Sequence, residues 1–118
     1  MRTPADNAQL ALLLEVSGTP KPGNVDRHRE YDDLRFEHFL AGAVGAGDGL
    51  RAAEAGAPIG AAFEASVEGM CHQRGGNTQF GCLLDLVPLV QAAATGPLSS
   101  DAIRAVCAST TVADACDF

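Results

Sequence analysis

The sequence contains few aromatic and few basic residues. Aromatic residues make up 5% of the 118 residues and tryptophan is missing, whereas hydrophobic residues make up 47%. The interior must therefore consist mainly of Ala, Leu and Val, a composition that favours closely packed helices. Eight basic residues stand against 15 acidic ones, which gives a formal net charge of −7. Because such a chain repels phosphate backbones and anionic lipid, neither nucleic acid nor a membrane surface is expected as a partner.

Cysteine pairs and long apolar runs are also missing. No CxxC pair occurs among Cys71, Cys82, Cys107 and Cys116, which argues against a zinc site. No basic-then-apolar leader precedes the first predicted helix, so we expect a cytoplasmic protein whose thiols are reduced and mostly buried. The longest apolar stretch, residues 81–94, is interrupted by Pro88 and falls short of the ~20 residues that span a bilayer. No transmembrane segment is expected.

Hydrophobic spacing and capping residues predict an all-α fold, a compact bundle of about five to six helices with a central apolar helix. The glycines at 45, 47 and 49 are interpreted as the end of the second helix. The fourth predicted helix is apolar nearly all round, which places it at the centre of the bundle. The helices are expected over residues 3–18, 36–44, 58–71, 78–94 and 99–107, and from residue 111 onward.

We interpret residues 1–118 as a single all-helical domain. The last predicted helix has few residues before Phe118, an apolar aromatic residue, and no glycine closes it. Two explanations stay open: a short docked terminal helix, or the N-terminal part of a longer fold. In the second case a homo-oligomer or a missing C-terminal portion would cover the exposed apolar surface.

The only lysine of the chain, Lys21, lies between two prolines. Proline fixes φ near about −65° and pushes the preceding residue into an extended conformation, so the ammonium group projects from a stiff loop. Gly23 permits a tight turn, and Asn24 and Asp26 add polar groups just beyond it. A solvated surface charge is the ordinary role of a lysine. This setting instead favours a binding site for an anion.

A second polar loop, residues 74–78, contains Arg74, Asn77 and Thr78. Each loop precedes a predicted helix, whose unpaired N–H groups and positive dipole end favour phosphate. Cationic side chains in the two loops can bind phosphate oxygens, and we expect the loops to face one cleft. Asn77 is also suited to cap the helix that follows it, which does not exclude ligand contact. The charge would come from Lys21, Arg27, Arg29 and Arg74.

Acidic residues lie in the first loop as well. Carboxylates repel phosphate unless a cation lies between them, and Mg²⁺ is typically held by one or two carboxylates together with substrate phosphates. Asp26 and Asp33 are therefore candidate magnesium ligands. The alternative is that Asp32 or Asp33 caps the second helix. Glu15, at the end of the first helix, either pairs with Lys21 or is an ordinary exposed residue.

Several separated motifs together resemble the triphosphoribosyl-dephospho-CoA synthase family. The sequence Pro-Lys-Pro-Gly alone would be weak evidence, but the order and spacing of all the motifs match over residues 10–94. They are Glu-Val-Ser at residues 15–17, Pro-Lys-Pro-Gly-Asn-Val-Asp at 20–26, Asp-Leu-Arg-Phe at 33–36, Phe-Leu at 39–40, and Gly-Asn-Thr at 76–78 with a glycine at 81.

The resemblance implies an all-helical transferase that transfers triphosphoribose from ATP to 3′-dephospho-CoA and releases adenine. Asp26 and Asp33 would then be the catalytic carboxylates and the Mg²⁺ ligands. Lys21, Gly23, Asn24, Arg74, Asn77 and Thr78 would bind the nucleotide and the dephospho-CoA-like acceptor.

The chain also departs from the pattern of this family. Tyr31 stands where better characterised members have a histidine, and Gln79-Phe80 stands where they usually have His-Lys. Members of the family are also longer. These differences support an alternative of another class: a non-catalytic helical module that binds a phosphorylated ligand or a partner chain.

Overall fold

A computed structural model describes residues 1–117 and shows an all-α protein. This confirms the predicted fold class. Within the described range seven helices are formed, one more than the largest number expected. They are α1 (Pro4–Ser17), α2 (Phe36–Gly45), α3 (Gly47–Glu54), α4 (Ile59–Met70), α5 (Phe80–Thr95), α6 (Ser100–Ala108) and α7 (Val112–Asp117).

Side-chain caps fix the starts of α1 and α6. The Thr3 hydroxyl accepts a hydrogen bond from the Asp6 amide at 3.2 Å, and the Asp6 carboxylate accepts one from the Thr3 amide at 3.0 Å. This reciprocal pair satisfies two N–H groups that the helix leaves without a partner. The Ser99 hydroxyl accepts a bond from the Ala102 amide at 3.1 Å in the same way. Local sequence therefore determines where α1 and α6 begin.

Helix α3 is the element that the sequence did not predict. The glycines that suggested a helix end instead allow helices to approach closely, because a Cβ at Gly45 would collide with the Gly69 carbonyl and one at Gly49 with Ser66. Both of these partners belong to α4. The glycines are therefore required by packing between helices, although each lowers intrinsic helix propensity.

The main core lies among α1, α3, α4 and α5. Its largest fully buried side chains include Leu12, Leu50, Phe63 and Leu83. Helix α5 packs against α1, α3, α4 and α6, as expected for a central helix, while its outer side leaves Leu84 39% exposed. A smaller cluster of Val16, Val25 and Phe39 anchors the long loop between α1 and α2. This second cluster positions the candidate site.

The expectation of mostly buried thiols is wrong. Cys71, Cys107 and Cys116 are exposed, and Cys82 is half-buried; all four are free thiols. Most of the core positions are filled by Leu, Val, Ala and Phe, so the cysteines lie at helix ends and on outer faces. Among residues 1–117 no single helix is long and apolar enough to cross a membrane, and α5 with α6 meets the length and composition criteria only as a pair bent by 110°.

Helix α7 is docked on the start of α4 through Asp114. This side chain is 5% exposed, and its carboxylate accepts hydrogen bonds from the Gly60 amide at 2.9 Å and from the Thr111 amide at 2.7 Å. These bonds, the Gly60 bond foremost, lower the pKa of the Asp114 carboxyl. Phe118, on which the sequence argument about the chain end depended, lies outside the described residues.

Candidate functional site

The loop between α1 and α2 begins with a tight turn that presents Lys21. The Asn24 amide donates a hydrogen bond to the Lys21 carbonyl at 3.0 Å, and Gly23 has φ +78°. Proline at the second position and a positive φ at the third define a type II turn, which glycine forms without strain. The Asn24 side chain accepts a bond from the Val25 amide at 2.8 Å. Lys21 therefore projects from a rigid turn, as the sequence predicted.

Asp26 organises the rest of this loop. Its side chain is 5% exposed; Oδ2 accepts from the Lys21 amide at 2.9 Å, and Oδ1 accepts from the His28 and Arg29 amides at 2.8 and 3.0 Å. Hydrogen bonding to the charged form, first from Lys21 and then from His28, lowers the pKa of the Asp26 carboxyl. Asp26 caps no helix, but it joins the two halves of the loop around an ionised carboxylate.

The Lys21 ammonium forms an ion pair with Glu15 of α1. The lysine side chain is 16% exposed and the glutamate side chain 41% exposed, so the pair lies at the edge of the loop. Of the two roles open to Glu15, pairing with Lys21 is the one observed. A phosphate that binds Lys21 must therefore compete with Glu15.

A cavity of about 390 Å³ opens beside this pair. It lies within the size range of small-molecule sites. The cavity brings Lys21 and Asp26 together, and Gly23 and Asn24 lie in the adjoining turn. Asp33 and the residues of the second polar loop are absent from its lining, which consists of Thr19, Pro20, Lys21, Pro22, Asp26, His28 and Arg29.

Asp33 lies at the tip of a second turn. Tyr31 and Leu34 exchange backbone hydrogen bonds of 3.0 and 3.3 Å, so Asp32 and Asp33 occupy the two positions between them and both are exposed. The Tyr31 hydroxyl donates to the Gly23 carbonyl at 3.2 Å, which ties this turn to the turn of Lys21.

The alternative that Asp32 or Asp33 caps α2 is wrong. The first amide of α2, that of Phe36, donates instead to the Glu30 carboxylate at 2.9 Å. The turn that contains both aspartates ends before Arg35, so neither carboxylate caps the N-terminus of α2. Nothing in the local pattern indicated Glu30, since it reaches the helix from six residues upstream.

The second polar loop is held by its own side chains. Asn77 Oδ1 accepts a hydrogen bond from the Phe80 amide at 3.1 Å. Asn77 therefore caps the first turn of α5, which is one of the two roles predicted for it. The Thr78 hydroxyl donates to Gln79 Oε1 at 2.6 Å. Gln73 Nε2 donates to the Met70 carbonyl at 2.7 Å. Arg74 is exposed and makes no ion pair within residues 1–117.

Both polar loops contact α2 at Phe39. The Phe39 side chain packs with Val25 of the first loop, and its carbonyl accepts a bond from Gln79 Nε2 at 2.7 Å. The first turn of α5 also lies close to the Lys21 pair. Burial is the main cause that raises the pKa of the Cys82 thiol; the Glu15 charge raises it further and the Lys21 charge lowers it.

Gln79 and Phe80, the two residues that depart from the expected basic pair, both contact other helices. Gln79 is 3% exposed and joins α5 to α2 through its bond to Phe39. Phe80 places its ring 5.2 Å from that of Phe63, edge-on at 79°. At these positions the chain thus offers no cation to a ligand.

Few side chains near the Lys21 loop could serve as ligands of a magnesium ion. Among residues 1–117 no group of three or more His, Cys, Asp or Glu side chains is arranged to hold a metal ion. Mg²⁺ does not require such a group, because waters and substrate phosphates complete its octahedron. Asp26 Oδ2 accepts one hydrogen bond and keeps a lone pair, and Asp33 is exposed. Asp33 is absent from the lining of the cavity that contains Asp26, so the structure does not bring the two carboxylates together around one ion.

The protein is thus an all-α bundle in which the loop between α1 and α2 presents a lysine beside a cavity. Over residues 1–118 the sequence matches the model of the ATP:dephospho-CoA triphosphoribosyl transferase family. The chain belongs to this family, which confirms the resemblance indicated by the separated motifs. No curated protein and no solved structure was found to match the chain.

Proposed function

We propose that this protein transfers the triphosphoribosyl group of ATP to 3′-dephospho-CoA, or to a closely similar acceptor, and releases adenine. The family match over the whole chain supports the reaction class. The observation that carries the proposal is the Lys21 turn, which Asp26 braces beside a cavity of about 390 Å³. The backbone of this turn is preorganised by its hydrogen bonds, so little main-chain freedom is lost when a ligand binds beside it.

The triphosphate binds, in this proposal, where the two polar loops approach α2. Lys21 contacts phosphate oxygens after exchanging Glu15 for the ligand, and Gly23 and Asn24 keep the turn open to it. Arg74, Asn77 and Thr78 of the second loop contribute further substrate contacts. The exposed Arg74 side chain supports this assignment, because no acidic partner within residues 1–117 has to be displaced from it.

The two catalytic aspartates differ in the chemistry they can perform. Displacing adenine from the ribose builds positive charge on the sugar, and the attacking hydroxyl must lose a proton. The lowered pKa of Asp26 makes its carboxylate a weak base that stays ionised, which suits stabilisation of the cationic sugar. Asp33 is exposed and accepts none of the amide bonds that Asp26 accepts. We assign to Asp33 the acceptance of the hydroxyl proton as the new C–O bond forms; the C–N bond breaks with its electron pair on adenine, which takes up one proton and leaves as the neutral base.

Mg²⁺ is part of the proposal as a partner of the nucleotide. Waters and the triphosphate would make most of its contacts, with the exposed Asp33 carboxylate or the remaining lone pair of Asp26 Oδ2 as a protein ligand. The ion would supply positive charge that offsets the triphosphate in an otherwise acidic chain. The protein residues would still position the ribose and accept the proton.

A second candidate is a helical module that binds a phosphorylated ligand without turnover. Gln79 and Phe80 favour it, because the positions where a basic pair was expected carry uncharged side chains that contact Phe39 and Phe63. The two candidates differ in whether ATP is consumed.

Chromatographic measurement of free adenine separates these candidates. The protein is incubated with ATP and Mg²⁺, with and without dephospho-CoA, and we expect adenine to accumulate only when the acceptor is present. Lys21→Ala should lower the rate by about 100-fold. Arg104→Ala removes an equal charge from an exposed ion pair on α6 and should leave the rate within about twofold. ATP binding without adenine release would establish the binding module instead.

A further inference from the structure

The charged groups that line the cavity are not equally available to a ligand. The Lys21 ammonium is paired with Glu15. The Asp26 carboxylate is buried, with bonds to three backbone amides. Arg29 lines the same cavity, is exposed, and makes no ion pair within residues 1–117. Its guanidinium is therefore the uncompensated charge of this cavity.

Backbone bonds hold Arg29 in place. The Asp26 amide donates to the Arg29 carbonyl at 3.0 Å, and the Arg29 amide donates to Asp26 Oδ1 at 3.0 Å. The His28 amide donates to the same Oδ1 at 2.8 Å, and the His28 side chain also lines the cavity. Two adjacent side chains thus extend from a backbone segment that one buried carboxylate fixes.

The shape and chemistry of the cavity select the ligand class. Arginine presents a planar fork of N–H donors that matches two oxygens of one phosphate group, whereas a paired lysine must first give up its partner. The three backbone N–H groups that bind the Asp26 carboxylate offset part of its repulsion of a phosphate. A chain of linked phosphates satisfies these conditions better than a neutral or cationic ligand.

We propose that Arg29, assisted by His28, makes the primary contact with an oligophosphate chain in this cavity, and that Lys21 joins only after leaving Glu15. The inference rests on the proposed function and deepens it, since the triphosphate of ATP is such a chain. Arg29 then makes the first contact with the substrate, and Lys21 adds a further contact once it has left Glu15.

Calorimetry with inorganic tripolyphosphate tests this order of contacts. We expect Arg29→Gln to weaken binding by about tenfold, because a charge-assisted bidentate contact is lost. Arg104→Gln, the matched control on α6, should bind within about twofold of the unchanged protein. Glu15→Gln should strengthen binding several-fold, because it frees the Lys21 ammonium. Circular dichroism and thermal unfolding establish that each variant is folded.

Three results would overturn the inference: tripolyphosphate fails to bind the unchanged protein at millimolar concentration, Arg29→Gln binds as tightly as the unchanged protein, or the Arg104→Gln control loses as much affinity as Arg29→Gln. The adenine assay reports separately on the proposed function. Arg29-dependent binding without adenine release would keep the oligophosphate site and reject the transferase. Adenine release that does not depend on Arg29 would keep the transferase and reject the role of Arg29.

Discussion

Two buried carboxylates, Asp26 and Asp114, have nearly the same local chemistry in two distant parts of the chain. Each is 5% exposed, each accepts hydrogen bonds from backbone amides, and each has a lowered pKa because of those bonds. Asp26 joins the halves of the α1–α2 loop, and Asp114 joins α7 to the start of α4. Bonding pattern and pKa direction alone therefore do not distinguish them.

Their neighbours distinguish them. The cavity at Asp26 is lined by Lys21, His28 and Arg29. Asp114 lines two cavities, of about 470 and 480 Å³, and neither has a Lys, Arg or His side chain in its lining. We therefore treat an acid with a shifted pKa as a functional candidate only where cationic side chains line the same cavity. We interpret Asp26 as part of a binding site and Asp114 as a structural residue that holds α7 against α4.

The largest expected effect is on catalysis. Asp26→Asn should lower the rate of adenine release by at least about 100-fold, because the fixed negative charge beside the cavity is lost. Asp114→Asn makes the same chemical change at the other carboxylate and should leave the rate within about threefold when the protein is folded. Steady-state assays of both variants measure the contrast. Equal losses of rate in the two variants would contradict a functional role for Asp26 that Asp114 lacks.

At Asp114 we expect the opposite pattern: a large effect on thermal stability and a small effect on the rate of adenine release. Asp114→Ala leaves the Gly60 and Thr111 amides without their acceptor, so we expect a fall in Tm of roughly 5–10 °C. Differential scanning calorimetry measures this change. Ser109→Ala, at an exposed position just before α7, is the control and should change Tm by less than about 2 °C. An unchanged Tm in Asp114→Ala would mean that α7 does not depend on this contact.

The stability contributed by both carboxylates should depend on pH. Their pKa values in the folded protein lie below the ordinary value of 3.8, so the unfolded chain takes up these protons first as the pH falls. The contribution is therefore complete above about pH 4 to 5 and declines as the pH falls through the lowered folded pKa. The free energies of unfolding, measured with urea, of the unchanged protein and of Asp114→Asn should differ most near neutral pH and converge toward pH 2. A difference that is constant over this range would contradict the assignment.

The smallest expected effect concerns Tyr31. Tyr31→Phe removes only the hydroxyl that ties the Asp33 turn to Gly23, so we expect a two- to fivefold fall in kcat with little change in KM for ATP. Tm should stay within about 2 °C, because the side chain is 48% exposed. A rise in KM at unchanged kcat would show that Tyr31 acts on nucleotide binding and does not position Asp33.

Sequence alone predicted the elements whose ends are set by local chemistry. The caps at Thr3 and Ser99 and the Pro-Gly turn after Lys21 act within three residues of themselves, so periodicity and turn rules are sufficient to find them. Helix α3 was missed because the reason for Gly45 and Gly49 lies in α4, a long-range contact that no local rule contains.

The same division holds for the candidate site. The sequence indicated Lys21 and the second polar loop as suited to phosphate, and Asp26 as a candidate magnesium ligand. It gave no signal for the three amides around Asp26, and it left the pairing of Glu15 open. The availability of each charge depends on these tertiary contacts, which is why Arg29 becomes prominent only in the structure.

Amide chemical shifts in a titration with ATP and Mg²⁺ test the central claim most directly. The amides of Lys21, His28 and Arg29 donate to Asp26, and those of Gly60 and Thr111 donate to Asp114. We expect the first group to shift in a saturable way and the second group to stay unchanged. Shifts confined to Gly60 and Thr111, or no saturable shift at Lys21, His28 and Arg29, would contradict the assignment of the nucleotide site to the Lys21 loop.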